Sequence, residues 1–197
     1  MVAPVLAAGI PLLGVAPYEP LYMNEISGEA SKLIYHISDS KVTGLSKCVV
    51  SNVKFNFEEL KYDLYCPSLV VTGHMEVSGE LLDIPVEGNG EFKIITDQTL
   101  INVEAKMEKY TGDDGKLHLV SKNFKANTPQ KPVEVSFDSL KPKNDLPPNV
   151  AKLFEEKKFT KGIELLTPAF IQELYNVVFI SLNKFLEAVP LDELFID

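Results

Sequence analysis

The sequence has no arginine: all 19 of its basic residues are lysine. Bidentate recognition of phosphates and base edges relies on the guanidinium fork, so nucleic-acid and nucleotide roles lose their usual residue. Acidic residues are in excess, with a net charge of -9 and a pI near 4.9. That balance repels nucleic acid at long range and opposes docking on anionic bilayers. No apolar run reaches the ~20 residues needed to span a membrane. The segment Met1 to Ala16 is apolar, but Pro4, Gly9, Pro11 and Gly14 break it. No basic residue precedes its apolar run, as a secretory signal requires. It reads as folded mature chain, with any export signal expected upstream.

Reactive side chains are also scarce. His36, His74 and His118 stand at no metal spacing to one another and read as strand or surface residues. There is no G-x-S-x-G elbow, P-loop or zinc signature. Gly88-Asn89-Gly90 follows a strand within a hairpin and reads as a turn, not a phosphate cradle. Asp113-Asp114 and Glu155-Glu156 read as solvated surface. An esterase or isomerase would need a nucleophile and a base that the chain does not present. No catalytic residue, metal or cofactor is therefore assigned. The two cysteines, Cys48 and Cys66, form no CxxC or metal cluster and fall on two strands of an expected hairpin. Pairing Phe55 with Leu60 also pairs Val53 with Tyr62 and Val49 with Cys66, which gathers the apolar residues on one face. In that register Cys48 points away from Cys66, against a disulfide; a bulge would shift the register and reopen it.

What the chain does have is an ordinary globular composition, 45% hydrophobic and 24% charged. It is long enough for one domain with a real core, and residues 1–197 are read as one ligand-binding domain. Residues 1–30 are apolar and irregular, 31–140 read as antiparallel strands, and 149–190 read as helices. In the middle region Val53 and Phe55 alternate with polar neighbours. So do Leu60, Tyr62, Leu64 and Cys66; Val71, Met75 and Val77; Phe92 and Ile94; and Ile101, Val103, Ala105 and Met107. Beyond the turn Gly112-Asp113-Asp114-Gly115 come Leu117 and Leu119, then Val133, Val135 and Phe137. Period-2 alternation without intervening helices gives an antiparallel sheet with one covered face.

The cover is expected from a C-terminal helix with Thr167 as N-cap and Pro168 at the first turn, stopping at Pro190. A shorter helix is expected over Asn149 to Lys157. The long helix is apolar around most of its circumference, leaving a narrow polar stripe of Glu173, Asn176, Asn183 and Glu187. The predicted fold is therefore α+β: a long C-terminal helix wrapped by a highly curved antiparallel sheet, a super-roll. A sheet curled on a rod leaves gaps at its flanks, and an apolar tunnel there would suit a long apolar ligand. A fully closed core fits the same pattern.

Several segments resemble the insect takeout / haemolymph juvenile hormone-binding family. They are Gly9-Ile10-Pro11 followed by Pro20-Leu21; Thr43-Gly44-Leu45-Ser46; the stretch Val77 to Gly90; and the end from Leu166-Thr167-Pro168 to Val189-Pro190-Leu191-Asp192-Glu193-Leu194-Phe195. The resemblance covers nearly the whole chain and implies a tubular lipid-binding-like fold. It also implies a secreted carrier, in haemolymph or another extracellular fluid, of juvenile hormone, another terpenoid, a fatty acid or a carotenoid pigment. Two family features are missing: the cysteine pair upstream of Gly9, and the asparagine-rich signature near Asn149-Val150-Ala151-Lys152-Leu153-Phe154.

The expected ligand-lining residues are Phe55, Phe92 and Met107 from the strands and Phe170, Leu174, Val178 and Phe185 from one helical stripe. Tyr18, Tyr35, Tyr62 and Tyr175 serve as polar handles, since a tyrosine joins an apolar ring to a polar tip. Ile171, Val177, Leu182 and Leu186 are expected to be plain core. The expected partner is a hydrophobic small molecule bound by a monomer, with no nucleic acid and no stable membrane insertion. Two other classes fit the pattern: an interaction protein with an apolar groove, and a lipid-transfer protein that docks on membranes.

Overall fold

The computed structural model describes residues 8–15, 17–81, 83–128, 134–137, 139, 141–143 and 166–194. Its strands are β1 (Leu21–Tyr22), β2 (Ile26–Ala30), β3 (Leu33–Thr43), β4 (Val49–Asn56), β5 (Glu59–Leu81), β6 (Ile84–Thr111), β7 (Leu117–Asn127), β8 (Glu134–Phe137) and β9 (Lys141–Pro142). They form one antiparallel sheet in the order β1-β3-β5-β6-β7, with β2 on β3, β4 on β5, and β8 and β9 on β6. The sheet is not closed: among the described residues, neither β1 nor β2 pairs with β7. Among the described residues two α-helices follow the strands, α1 (Thr167–Ala188) and α2 (Leu191–Leu194). The helix expected over Asn149 to Lys157 lies outside the described residues.

The β5–β6 hairpin dictates the shape. Its strands have 23 and 28 residues and pair continuously from Glu59↔Lys106 to Leu81↔Ile84. A straight 28-residue strand would span ~90 Å at ~3.3 Å per residue. The 22 residues of α1 give a rod of only ~33 Å at ~1.5 Å each. The sheet must therefore curl, and bulges place the bends. Register shifts fall between Ser38 and Lys41 on β3, between Ser51 and Lys54 on β4, and opposite Glu104–Lys106 on β7. Each holds one residue at positive φ: Asp39 at 51°, Asn52 at 53° and Asn123 at 49°. Aspartate and asparagine adopt that region more readily than other side chains, and a bulge there adds local twist.

A second device divides the sheet into two halves. The inward positions of β5 run Leu60, Tyr62, Leu64 and Cys66, then change parity to Leu69, Met75 and Val77. On β6 they change from Phe92 and Ile94 to Ile101, Val103, Ala105 and Met107. The change occurs at one place on both strands, where Pro67 faces the segment around Gln98 (φ 45°). Proline has no N–H for the ladder and the positive φ turns the chain, so both faces rotate together. Two hydrophobic clusters result. The larger is built on β3 and the far half of the hairpin, around Ile37, Met75, Phe92 and Phe137. The smaller gathers Ala105, Met107, Leu119 and Leu186.

Several expectations are corrected. The expected register holds at Phe55↔Leu60, but the bulge at Asn52 shifts β4 so that Val49 faces Tyr65, not Cys66. Cys48 therefore stands beside Cys66, and the two are joined with Sγ–Sγ 2.06 Å. The same shift exposes Val53, 59% accessible, on the wet side. Gly88-Asn89-Gly90 is not a turn: it lies within β6 opposite Val77, Glu76 and Met75, and the chain reverses at Asp83 instead. The side chain of Ser139 occupies the space a Cβ at Gly90 would need. The opening thirty residues are not wholly irregular, since they supply β1 and β2. Thr167 is the first residue of α1 rather than its cap; Leu166 is the cap residue and makes no side-chain cap bond.

The helix spans the gap that the open sheet leaves. Pro168, Gln172, Asn176, Ile180, Lys184 and Glu187 face solvent at spacings of three or four, so the outer stripe includes the half-exposed Ile180. Glu173 and Asn183 belong to no solvent stripe; they flank it on opposite sides. Glu173 accepts a bond from Asn24 Nδ2 at 2.7 Å, beside the β1–β2 edge. The Asn183 side-chain amide accepts from Ser121 N–H at 2.7 Å and donates to Ser121 C=O at 3.1 Å, pairing with edge strand β7 as another strand would. One helix thus ties down both edges of the roll.

Candidate ligand-binding site

The lining expected from the sequence falls into three places. Tyr35, Phe92 and Phe170 are buried in the larger cluster, with Leu174 and Val178 packed against it. Phe92 and Phe170 meet ring to ring, centroids 5.2 Å apart. Met107 lies in the smaller cluster, with Phe55 and Phe185 against it. Tyr18 packs against the larger cluster and neighbours Tyr62, which lies between the two clusters at the waist, while Tyr175 stands on α1 against Phe124. The helix therefore divides along its length, not only around its circumference. Its N-terminal half, including Val177, serves the larger cluster, and Leu182, Phe185 and Leu186 serve the smaller.

The waist is aromatic and polar by turns. Tyr62, Ile101 and Val103 face inward from β5 and β6 yet belong to neither cluster. Burial pushes the Tyr62 hydroxyl up to about 12, helped by repulsion from the neighbouring Tyr18 oxygen. It makes no hydrogen bond to any described residue. Tyr18 is also raised by burial, and the buried Ser181 of α1 beside it tempers the shift. Tyr175 is raised by burial too, offset by its 2.7 Å contact with the Thr128 hydroxyl. Phe124 completes the wall, 6.3 Å from the Tyr175 ring and 5.5 Å from Phe179. Tyr35 differs from the other tyrosines: its ring lies across Gly28, where a Cβ would come within 2.6 Å of its hydroxyl.

Phe124, Phe179, Ser181 and Thr128 were not foreseen. Phe124 follows the bulge at Asn123, which turns it inward against the expected parity. Ser181 carries a usable signal, a lone small polar residue inside an apolar helix.

Among the described residues the outer face carries open grooves of about 960 and 790 Å³, lined by groups such as Asn52, Lys61, Asp63 and Glu104, and His36, Glu76, Glu87 and Asn89, with Tyr62 bordering the first and Tyr35 the second. Asp63 accepts bonds from Asn52 and Asn102, at 2.6 and 2.7 Å, which hold its carboxyl below the usual range. His74 bonds Asn89 at 2.8 Å and reaches Glu91 at 3.3 Å, and the Glu91 contact raises it. Among the described residues, no group of three or more histidine, cysteine or acidic side chains could hold a metal. No helix of the described chain is long and apolar enough to cross a membrane.

With this architecture in view, residues 1–196 match the family model described as haemolymph juvenile hormone binding protein. The chain belongs to that family. Hydrophobic-ligand binding in general comes with membership. Among solved structures, the chain is similar to Takeout 1 of Epiphyas postvittana, at 20% identity and a TM-score of 0.81. That match covers 98% of this chain and 90% of the other, and shows the same fold. A lipopolysaccharide binding protein matches over 83% of this chain and 35% of its own, at 13% identity and a TM-score of 0.38. No curated protein sequence matches significantly.

Proposed function

We propose that this family member is a one-domain extracellular carrier that binds an elongated apolar molecule in a tunnel beside α1 and releases it unchanged. The ligand is a terpenoid such as juvenile hormone, a fatty acid or a carotenoid. The observation that carries the reading is the waist. There the half-buried Tyr62 presents a hydroxyl that bonds no described residue, at a position between two apolar clusters. An oxygen on an otherwise apolar ligand would give that hydroxyl a hydrogen-bond partner and fix the ligand's head. The four tyrosines named from the sequence then divide. Tyr18, Tyr62 and Tyr175 are the handles, and Tyr35 is packing over Gly28.

The test is to incubate the pure protein with a fatty acid, a terpenoid ester and a carotenoid, then identify by mass spectrometry what remains bound. Stoichiometric recovery of unchanged ligand is expected. A hydrolysed or isomerised product, or no uptake of any of the three, would sink the carrier reading.

A further inference from the structure

The loop from Ile10 to Val15 presents Leu12, 98% accessible, the most exposed large apolar side chain among the described residues. Pro11 is exposed beside it and Leu13 is half-buried. Such exposure in water is unfavourable, so the surroundings of this side chain matter. The loop is firmly built. Ile10 N–H donates to Val15 C=O at 2.9 Å, and Val15 N–H returns to Ile10 C=O at 3.1 Å. Leu13 N–H donates to Ile10 C=O at 2.9 Å and Gly14 N–H to Pro11 C=O at 3.1 Å. Pro11 has no N–H, and Gly14 supplies the left-handed φ of 66° that reverses the chain. No charged residue occurs from Ala8 to Tyr18. The first one, Glu19, turns its carboxylate away onto the Gly44 and Ser46 amides.

We propose that this loop is a docking tip for a zwitterionic lipid surface, one of phosphatidylcholine type. The amides of Ile10, Leu13, Gly14 and Val15 bond within the loop, so on docking only the Leu12 N–H needs a headgroup oxygen, which the interfacial level of a bilayer supplies. The loop also offers no free strand edge for a protein partner to extend. A net charge of -9 selects against anionic lipid, so apolar contact rather than attraction to headgroups drives the docking. The tip goes beyond ligand carriage: it gives the molecule a fixed point on the surface, whatever is bound inside.

The chain has no tryptophan, so Leu12→Trp supplies a single fluorophore at the tip. On adding phosphatidylcholine vesicles its emission is expected to shift to the blue and to be quenched by brominated lipid. Val50→Trp, on the exposed face of β4, should do neither. In flotation, Leu12→Asp should lower the vesicle-bound fraction at least tenfold, with melting temperature and ligand uptake unchanged, so failure here and failure of carriage are separate results. Replacing part of the lipid with phosphatidylserine should weaken binding. An unchanged Leu12→Trp spectrum, equal flotation of wild type and Leu12→Asp, or stronger binding to phosphatidylserine would each overturn the proposal.

Discussion

Two single groups set how the protein should respond to pH. Burial lifts Tyr62 from the ordinary 10.0 to about 12, so the folded chain holds this proton where the unfolded chain releases it. Below the ordinary value both states are protonated and the group is silent. Between the two values the unfolded state ionises first and stability falls as pH rises. Tyr62→Phe should therefore flatten the alkaline loss of stability, read from urea midpoints either side of the ordinary phenol value. The same change should weaken an oxygenated ligand more than a hydrocarbon of equal length, and equal effects on both would remove the handle. Glu19 acts at the other end. Burial raises it, but the Ser46 and Gly44 amides outweigh burial and hold it below 4.5. Its contribution is present above that value and is lost as pH falls through the folded one. Glu19→Gln should blunt the acid decline of the melting temperature, and an unaltered acid profile would show that the amide cradle adds nothing. Gly44 completes this anchor, because at φ 100° its missing Cβ leaves room for the Ser68 carbonyl.

Between elements, the most testable join is the Asn183 clamp on β7. Asn183→Ala strands the Ser121 N–H at a buried position and should cost about 1–3 kcal/mol. Asn183→Asp keeps the acceptor but loses the donor, so it should fall between, as read by urea denaturation. The Cys48–Cys66 bond closes a loop with a sequence separation of 18. Replacing both cysteines with alanine should cost about 3 kcal/mol on the chain-entropy account. Along α1, Leu186→Ala in the smaller cluster should cost roughly 2–5 kcal/mol. Leu174→Ala and Val178→Ala, at half-buried positions, should cost less and change ligand preference more. If all three behave alike in melting and in ligand competition, α1 is plain core. The alternation of Ile101 to Met107 and the length of α1 were legible in the sequence because each is a repeating signal along one element. The disulfide was not, since one asparagine at positive φ moved Cys48 by a single residue and reversed its face. The waist was half legible: tyrosines suggest handles by chemistry, but Phe124 turns inward only because of the bulge before it.

At the scale of the whole molecule the sheet has an apolar inner face and a charged outer one, and one late segment covers the former. All nine described strands precede α1 in the chain. Each bulge and the hairpin can form locally, but the roll cannot bury its inner face until Phe170 to Leu186 are present. During synthesis, at ~5–20 residues per second, the curled sheet must wait for its last stave with Phe92, Met107 and Leu119 uncovered. A chain ending before Thr167 is expected to bind an apolar dye and to aggregate on concentration, and a clear, dye-silent solution of it would show that the sheet closes on itself. The intact chain passes through the same state each time it is made. Its yield in a cell should therefore follow the supply of chaperones that shield nascent apolar surface more closely than the stability of the finished fold.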